Sequence, residues 1–422
     1  MTAMKTPETT GGDRVRPAAL ALAAAACCVA AAGCMGSWMI RGTRVHYNQS
    51  FSHTSSQEML LNIVRMRYGE TPTFLDLPSI NSVSEASLVG AGEQPKDSVT
   101  QGIFGGDFSL RDEPTLSYQP RRGGNLADSL LKHLRAAILL DIPPGNDSRM
   151  FLLTFVDSMN GVQNSPTATS LGSRVLQPND EFRQMVDLYI GLQDRGAVKL
   201  RVAMQEDEVH GPVPGAPVLA NDAVVAAKQG YVYQSSDDEV TLHKRERMVV
   251  MAVRSEDAGV ADLVELTDVL RLVPDRSAYA IKSQEEVEID LNDEAGATSL
   301  PAPPFEEISI NVRSGSQAMA FLAKGVSVPA AHVRRGEVHT YQGLDGRPFD
   351  ARQLTRGLFA VCVQKHRPLW SDLAVKYRDH WFYIAEDDVQ SRATLNFVKL
   401  IIDMRSQASV SPVLTLPISG GR

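Results

Sequence analysis

The sequence predicts a mixed α/β fold (α+β), with sheets covered by amphipathic helices and two or three sections. Three observations lead there: apolar residues recur at helical and strand periods by turns; a 43% hydrophobic content over 422 residues allows a substantial core; and acidic, Gly-rich and Pro-rich stretches interrupt the chain twice.

In chain order, Ser55-Ser56-Gln57-Glu58 has the capping-box pattern, followed by an apolar stripe of Leu60, Ile63 and Val64 and a stop at Gly69. Strand-like segments run from Phe74 to Ile80 and from Thr115 to Tyr118. Asn125 is placed to cap a second helix whose Leu126, Leu130 and Leu134 share one face. Met150 to Val156 has the continuous apolar character of a buried strand, Asn179 opens a helix carrying Phe182, Val186, Tyr189 and Ile190, and Ala197 to Val202 is a strand. Glu206 to Pro217 has linker composition. A strand at Met248 to Val253, a helix at Ala261 to Leu270 and a strand at Ala278 to Ile281 follow, before the acidic run Glu285 to Glu294 and the Pro-rich Ser299 to Pro304. The last section holds a strand at Glu307 to Arg313, a helix at Ser316 to Lys324, a doubly buried strand at Leu358 to Val363 and a strand at Trp381 to Ala385. A long helix comes next, with Asp387 as N-cap and Val389, Ala393, Phe397, Leu400, Ile401 and Met404 as its apolar face, and Val413 to Ile418 closes as a strand. The expected division is 1–33 as a signal, 34–50 a tether, 51–205 a first α/β domain, 206–220 a linker, 221–300 a smaller middle section and 305–422 a C-terminal α/β domain.

The first 33 residues are read separately. Lys5, Arg14 and Arg16 outweigh Glu8 and Asp13, and Met4 offers an alternative start. The run from Pro17 to Ala32 is almost wholly Ala, Leu, Val and Cys. A membrane-spanning helix needs about 20 apolar residues and a secretory core roughly 7 to 15 before a small-residue cleavage site, and this run is nearer the second. Its end, Ala31-Ala32-Gly33-Cys34, resembles the lipobox of bacterial lipoprotein signal peptides. The resemblance implies cleavage before Cys34 and a diacylglycerol on its thiol; an ordinary cleaved signal and an uncleaved anchor are the alternatives. Met35 is not Asp, which in the usual enteric sorting pattern implies the outer membrane. Trp38, Met39 and Ile40 suit either the lipid interface or a first contact with the body. The covalent lipid is the only attached group expected; no cofactor or metal is.

Without residues 1–33 the chain loses three positive and two negative charges, so its formal charge moves from −8 to −9. Such acidity makes nucleic acid a poor partner. Cys27 and Cys28 leave with the signal, so Cys34 and Cys362 remain, and Cys362 in its apolar run is expected to be an inert core thiol.

HExxH, G-x-S-x-G, Walker A, CxxC and a helix-opening G-x-G-x-x-G are all absent. Glu386-Asp387-Asp388 offers paired carboxylates, but its place before a strong helix points to capping. His332, Glu337 and His339 can meet around a turn as metal ligands or remain exposed loop residues. Arg121, Arg122, Gly123 and Gly124 before a capped helix make either an anion site or a plain turn. If Arg65 or Arg67 is buried, Glu58, Glu70 and Asp76 are the nearest carboxylates.

LLNIVRMRYGETPTFLDLPSI (Leu60 to Ile80), PTLSYQP (Pro114 to Pro120), FVDSMNGVQN (Phe155 to Asn164), RSGSQAMAFLAKGVSVP (Arg313 to Pro329) and PVLTLPIS (Pro412 to Ser419) resemble a group of uncharacterised bacterial lipoproteins. The departure is at Arg121-Arg122-Gly123-Gly124, where a single glycine with apolar neighbours is expected. The resemblance implies export and lipidation and transfers no site. The resulting expectation is a lipid-anchored envelope lipoprotein, in the outer membrane and facing the periplasm, that acts as a non-catalytic scaffold or adaptor for another envelope protein or complex. The alternative is a periplasmic hydrolase of envelope polymers. A carbohydrate-binding module, which needs exposed aromatic platforms, ranks last with only Trp38, Trp370 and Trp381 available. A deep polar cleft favours the hydrolase; an apolar surface or sheet edge favours the adaptor.

Overall fold

The structure, a computed structural model, describes residues 45–90, 106–120, 130–214, 218, 220–236, 239–257, 259–283 and 304–406. The signal, Cys34, Trp38, Arg121 to Gly124, Asn125, Leu126, Glu285 to Glu294 and Val413 to Ile418 lie outside them. The chain divides into two units, Met1–Glu58 and Met59–Arg422. In the first, residues 45–58 are helical, and Thr54 and Ser56 donate their hydroxyls back to the carbonyls of Ser50 and Ser52 at 2.8 and 3.0 Å. Ser55 to Glu58 therefore lie inside helix α1 (45–67) rather than at its start, a correction to the capping-box reading.

The second unit is a mixed α+β body. Met59, Leu60, Ile63, Val64 and Met66 of α1 are buried. The helix stops as expected at Gly69, whose φ of +78° closes a left-handed cap while the Glu70 amide bonds the Arg65 carbonyl at 3.0 Å. Asn62 fastens the chain just beyond, accepting from the Thr73 amide and donating to the Thr73 carbonyl. Strands β1 (Leu75–Gly90) and β2 (Gly106–Pro120) form an antiparallel pair on their own.

The main sheet collects strands from every part of the body. Strands β3 (Val156–Met159), β4 (Val162–Gln163), β5 (Val198–Pro214), β6 (Tyr231–Ser236), β7 (Glu239–Val253), β8 (Ala278–Ser283) and β9 (Ile308–Val312) run in the order β4-β3-β9-β8-β7-β5, with β6 also on β7. Among the described strands of this sheet only β8 and β9 pair in parallel. The expected three-section division is thereby corrected: β9, from the last section, lies between β3 of the first and β8 of the middle one. The supposed linker from Glu206 is likewise strand as far as Pro214, paired with β7 through two register shifts. Its Glu, Gly and Pro content marks the irregular end of a long strand, since bulges admit such residues.

Helices α2 (Asn146–Phe155), α3 (Asp180–Asp194), α4 (Ala220–Lys228), α5 (Ala261–Val269), α6 (Gly315–Leu322), α7 (Ala330–Arg334) and α8 (Val389–Ser406) accompany the strands. Met150 to Phe155, expected as a strand, is helix α2. Its residues are buried on every side, between α3, α6 and α8, so no polar stripe reveals the helical period. Helix α3 follows the predicted face, with Phe182 and Val186 fully buried. Asn179 sits at its N-cap but its side chain makes no capping bond; its amide donates to Asn164 Oδ1 instead. Helix α6 has a complete capping box between Ser314 and Gln317.

A second small sheet holds β12 (Cys362–Gln364), β13 (Ala374–Tyr377) and β14 (His380–Tyr383) in the order β12-β14-β13, and β10 (Tyr341–Gln342) pairs with β11 (Pro348–Phe349). The strand expected at Leu358 begins only at Cys362, which is half-buried rather than in the core. Burial, with Asp388 and Asp387 nearby, raises the Cys362 thiol pKa, in keeping with inertness. Two details of α8 are also corrected. Its cap is Asp388, which accepts from the Ser391 amide at 2.9 Å, while Asp387 is exposed. Of the predicted face Ile401 is buried and Ala393 and Phe397 pack on the core, whereas Val389, Leu400 and Met404 face outward; Ser391, Thr394, Leu395, Val398 and Ile402 complete the buried side. Ser391 and Thr394 bond the backbone at Ala360 and Leu358, at 2.8 and 2.9 Å, so that two hydroxyls occupy core positions.

One buried cation ties these layers together. Arg313, 1% exposed, donates from Nε and Nη2 to the Asp157 carboxylate at 3.2 and 3.1 Å, from Nη1 to the Thr154 carbonyl at 3.1 Å, and to the Asn164 carbonyl. Its guanidinium also lies 4.2 Å from the Phe321 ring centre. Burial lowers the Arg313 pKa to about 10 against the opposing pull of Asp157, so the group stays charged at neutral pH. Removing one partner of such a pair leaves an uncompensated buried charge or orphaned acceptors. Arg313→Ala is therefore expected to cost about 3–5 kcal/mol of unfolding free energy. Urea titration measures this, and a loss below about 1 kcal/mol would show that the pair is dispensable.

Candidate functional site

The densest cluster of ionisable groups lies where the end of α1, helix α7 and the β13–β14 hairpin meet. His332, predicted either as a ligand or as an exposed loop residue, is 1% exposed. Its Nδ1 is 2.7 Å from the Tyr68 hydroxyl and 3.8 Å from a Glu337 carboxylate oxygen, the second being too long for a hydrogen bond. Arg378 bridges Glu70 at 3.0 Å and Glu337 at 3.3 Å, and stands over the Tyr68 ring. Tyr377 donates to Glu70 at 2.5 Å, and the His380 ring meets His332 edge-on at 4.7 Å. Arg378 and Asp379 both have positive φ, 46° and 62°, and connect the paired residues Tyr377 and His380. A two-residue turn of this kind usually takes Asn-Gly. Here an arginine holds the left-handed position, where its side chain reaches two carboxylates.

Of the three predicted ligands the structure brings together His332 and Glu337 and adds His380 in place of His339, whose recorded contact is a carbonyl bond from Arg67 at 3.2 Å. Among the described residues no group of three His, Cys, Asp or Glu is arranged to hold a metal ion. Electrostatics point the same way for acid–base work. Burial pushes the Tyr68 and Tyr377 pKa values up to about 12, with Tyr377 and Glu70 respectively as the next causes. Burial lowers that of His332, while Glu337 opposes the shift. Glu70 and Glu337 are held below the usual carboxylate range, chiefly by bonds from Tyr377 and Arg335. At neutral pH this describes phenols, a neutral imidazole and ionised carboxylates in a satisfied network. The Tyr68 hydroxyl and Nδ1 of His332 share one hydrogen bond, whose donor follows the imidazole tautomer. With Tyr68 and His332 both enclosed, the arrangement acts as a polar clamp.

The carboxylates Glu386, Asp387 and Asp388 serve the start of α8: Asp388 caps it and Glu386 pairs with Arg392 at 2.5 Å. Neither Arg65 nor Arg67 is fully buried. Arg65 bonds Asn62, while Arg67 lies 4.9 Å from the Tyr341 ring centre as well as bonding His339. The other side of this feature is Lys324, which sequence reasoning passed over. Its ammonium is buried, reaches the Tyr341 hydroxyl at 3.2 Å and the Ser170 carbonyl at 3.3 Å, and has its pKa lowered to about 8 by burial and then by Arg67. A single charge within the apolar run Ala318 to Val326 was its available signal.

Two surface clefts, of about 650 and 480 Å³, include Lys132, His133 and Arg135 in one case, and Asp180, Asp187 and Asp262 in the other. Neither lining contains a hydroxyl or thiol nucleophile. Asp187 is bound to Arg149 and Asp262 to Arg195.

The clearest outward feature is an edge. Strand β5 ends the main sheet, and among the described residues no strand pairs with its outer side. Along one face Val198 is buried, Leu200 half-buried, and Val202 and Met204 are 53% and 50% exposed, so the apolar stripe continues past the core into solvent. Ladder pairing is regular from Val198 to Glu208 and shifts only beyond it. Among the described residues no helix is long and apolar enough to cross a membrane. Comparison with protein-family models, curated proteins and solved structures gives no match to this chain.

The clamp has a pH signature. Because the folded His332 pKa lies below its ordinary value of about 6.5, the unfolded chain takes up the proton first as pH falls. His332 therefore destabilises the fold progressively below about pH 6.5, with the loss levelling off once pH passes the folded value. The urea midpoint measured between about pH 7.5 and 5.5 should fall less steeply in His332→Gln than in the parent. Equal slopes would contradict a buried neutral imidazole.

Proposed function

We propose that this protein is an envelope lipoprotein, anchored through Cys34 and facing the periplasm from the outer membrane, that serves as a non-catalytic adaptor for another envelope protein. The anchor rests on Ala31-Ala32-Gly33-Cys34 and the apolar run before it. The observation that supports an adaptor is the exposed edge of β5 with Val202 and Met204. A long, regular edge that no described strand pairs offers backbone donors and acceptors, which proteins ordinarily blunt or cover. An extended partner segment adding to that edge would gain main-chain hydrogen bonds and pack its alternate side chains on the apolar stripe. The enclosed polar clamp, and the pairing of Asp187 and Asp262 in the acidic cleft with Arg149 and Arg195, favour this reading over a hydrolase.

In-cell cross-linking and purification of the C-terminally tagged protein from membranes should recover one stoichiometric envelope protein. Val202→Glu/Met204→Glu should lose that protein while keeping the parent's thermal midpoint. Recovery of the tagged chain alone in repeated trials, or undiminished capture by the variant, would count against the edge as the docking site. A fatty-acid analogue should label the parent and not Cys34→Ser; label retained in that variant would refute the anchor.

A further inference from the structure

A second exposed feature lies on the opposite kind of element, a loop tip. Between β12 and β13 the chain reads Lys365-His366-Arg367-Pro368-Leu369-Trp370, and Leu369 and Trp370 are 89% and 84% exposed. They are the two most exposed of the large apolar residues in the described body, and they are adjacent. The loop beneath them is firmly seated. Pro368 is buried, the Gln364 amide donates to the His366 carbonyl at 2.9 Å, and the Ser371 hydroxyl, directly after Trp370, donates to the Ile384 carbonyl at 2.7 Å. Leu369 and Trp370 are thus held out by a well-bonded base.

Lys365, His366 and Arg367, which precede the buried Pro368, are all exposed. Among the described residues Lys365 and Arg367 form no ion pair with a carboxylate; Arg367 instead rests over the Trp381 ring at 5.4 Å. This is a local reversal of charge in a chain whose formal net charge is −8.

We infer that the 365–370 loop docks the body onto an anionic phospholipid bilayer, with Leu369 and Trp370 entering the interface and Lys365 and Arg367 contacting lipid phosphates. Trp prefers the headgroup boundary, where its ring is in apolar surroundings and its indole N–H remains wet. Basic residues beside it add attraction to negative lipid within a Debye length. Charge complementarity selects this occupant over an apolar protein pocket: two protruding side chains offer a wedge for a soft interface, and the cations behind them match a layer of phosphates. The inference stands apart from the Cys34 anchor and from the β5 edge, since it needs neither.

The test uses residues 34–422 carrying Cys34→Ser, so that neither an attached lipid nor the apolar run 17–32 contributes, sedimented with vesicles of phosphatidylethanolamine and phosphatidylglycerol or of phosphatidylcholine alone. Leu369→Ser/Trp370→Ser should lower the partition coefficient on the anionic vesicles about tenfold, while other segments contribute equally to parent and variant. Lys365→Glu should reduce binding to anionic vesicles selectively. Brominated lipid should quench a part of the tryptophan emission that is missing in Trp370→Phe. Both loop positions are exposed, so an unchanged thermal midpoint is expected and checks folding. Equal sedimentation of the parent and the Leu369/Trp370 variant, or unquenched Trp370, overturns the proposal. Equal parental binding to neutral and anionic vesicles overturns its electrostatic half.

Discussion

The Arg313–Asp157 pair is the constraint around which the rest of the body is arranged. A guanidinium fully removed from water demands a carboxylate and additional acceptors. Here they come from the end of α2, from β3 and from the segment after β4, while the aromatic face comes from α6. The same neighbourhood is locked by asparagines. Asn164 donates to the Leu153 and Val156 carbonyls and accepts from Asn179. Asn160, left-handed at φ 46°, donates to the Leu270 and Glu307 carbonyls and accepts from the Ser309 amide. These side chains supply backbone-like partners where helices and strands abut and ladder bonds cannot continue. The core is consequently polar at its junctions and apolar within its layers, and β9 is held beside β3 although Met159 and its partner Ile310 are 151 positions apart in sequence.

The clamp around Tyr68 and His332 follows the same logic at the other end of the chain. Groups that suggest chemistry when read singly, a histidine beside a glutamate and two tyrosines beside an arginine, become a satisfied network when placed. The strained turn at Arg378 is tolerated because its side chain bridges Glu70 and Glu337. Lys324 shows the converse. It is an isolated buried ammonium with a carbonyl, a phenol hydroxyl and an aromatic face around it, and its lowered pKa reflects the lack of full compensation. The outward-facing apolar groups are more suggestive of interaction: Val202 and Met204 along a sheet edge, and Leu369 and Trp370 at a loop tip, lie at separate places in the fold.

Much of the mixed α+β fold was legible in local pattern. Helix α3 was readable because Phe182 and Val186 recur between charged residues, and β8 and β9 because their apolar residues alternate. Helix α2 was not, since burial on all sides erased its period. Helix α8 was located correctly and its buried face half read, because a hydrophobic pattern counts Ser391 and Thr394 as surface until their backbone partners are known. Of the candidate ligands, His332 and Glu337 were close enough in sequence to suggest a meeting, whereas Tyr68, Tyr377, Arg378 and His380 reach them only through long-range packing.

By itself the sequence determined the mixed α+β class, the stop of α1 at Gly69, the apolar face of α3 and the acidic character of the chain. Those features depend on interactions within a few residues, for which periodicity and capping chemistry are sufficient. Only the tertiary structure decided that one sheet unites the three expected sections, that Arg313 and Lys324 are buried, and that His332 is enclosed. The reason is physical: strand partners, desolvation and hydrogen-bond satisfaction are set by groups distant in sequence, and the same side chain is a solvated charge, a clamp or a ligand according to what packs against it.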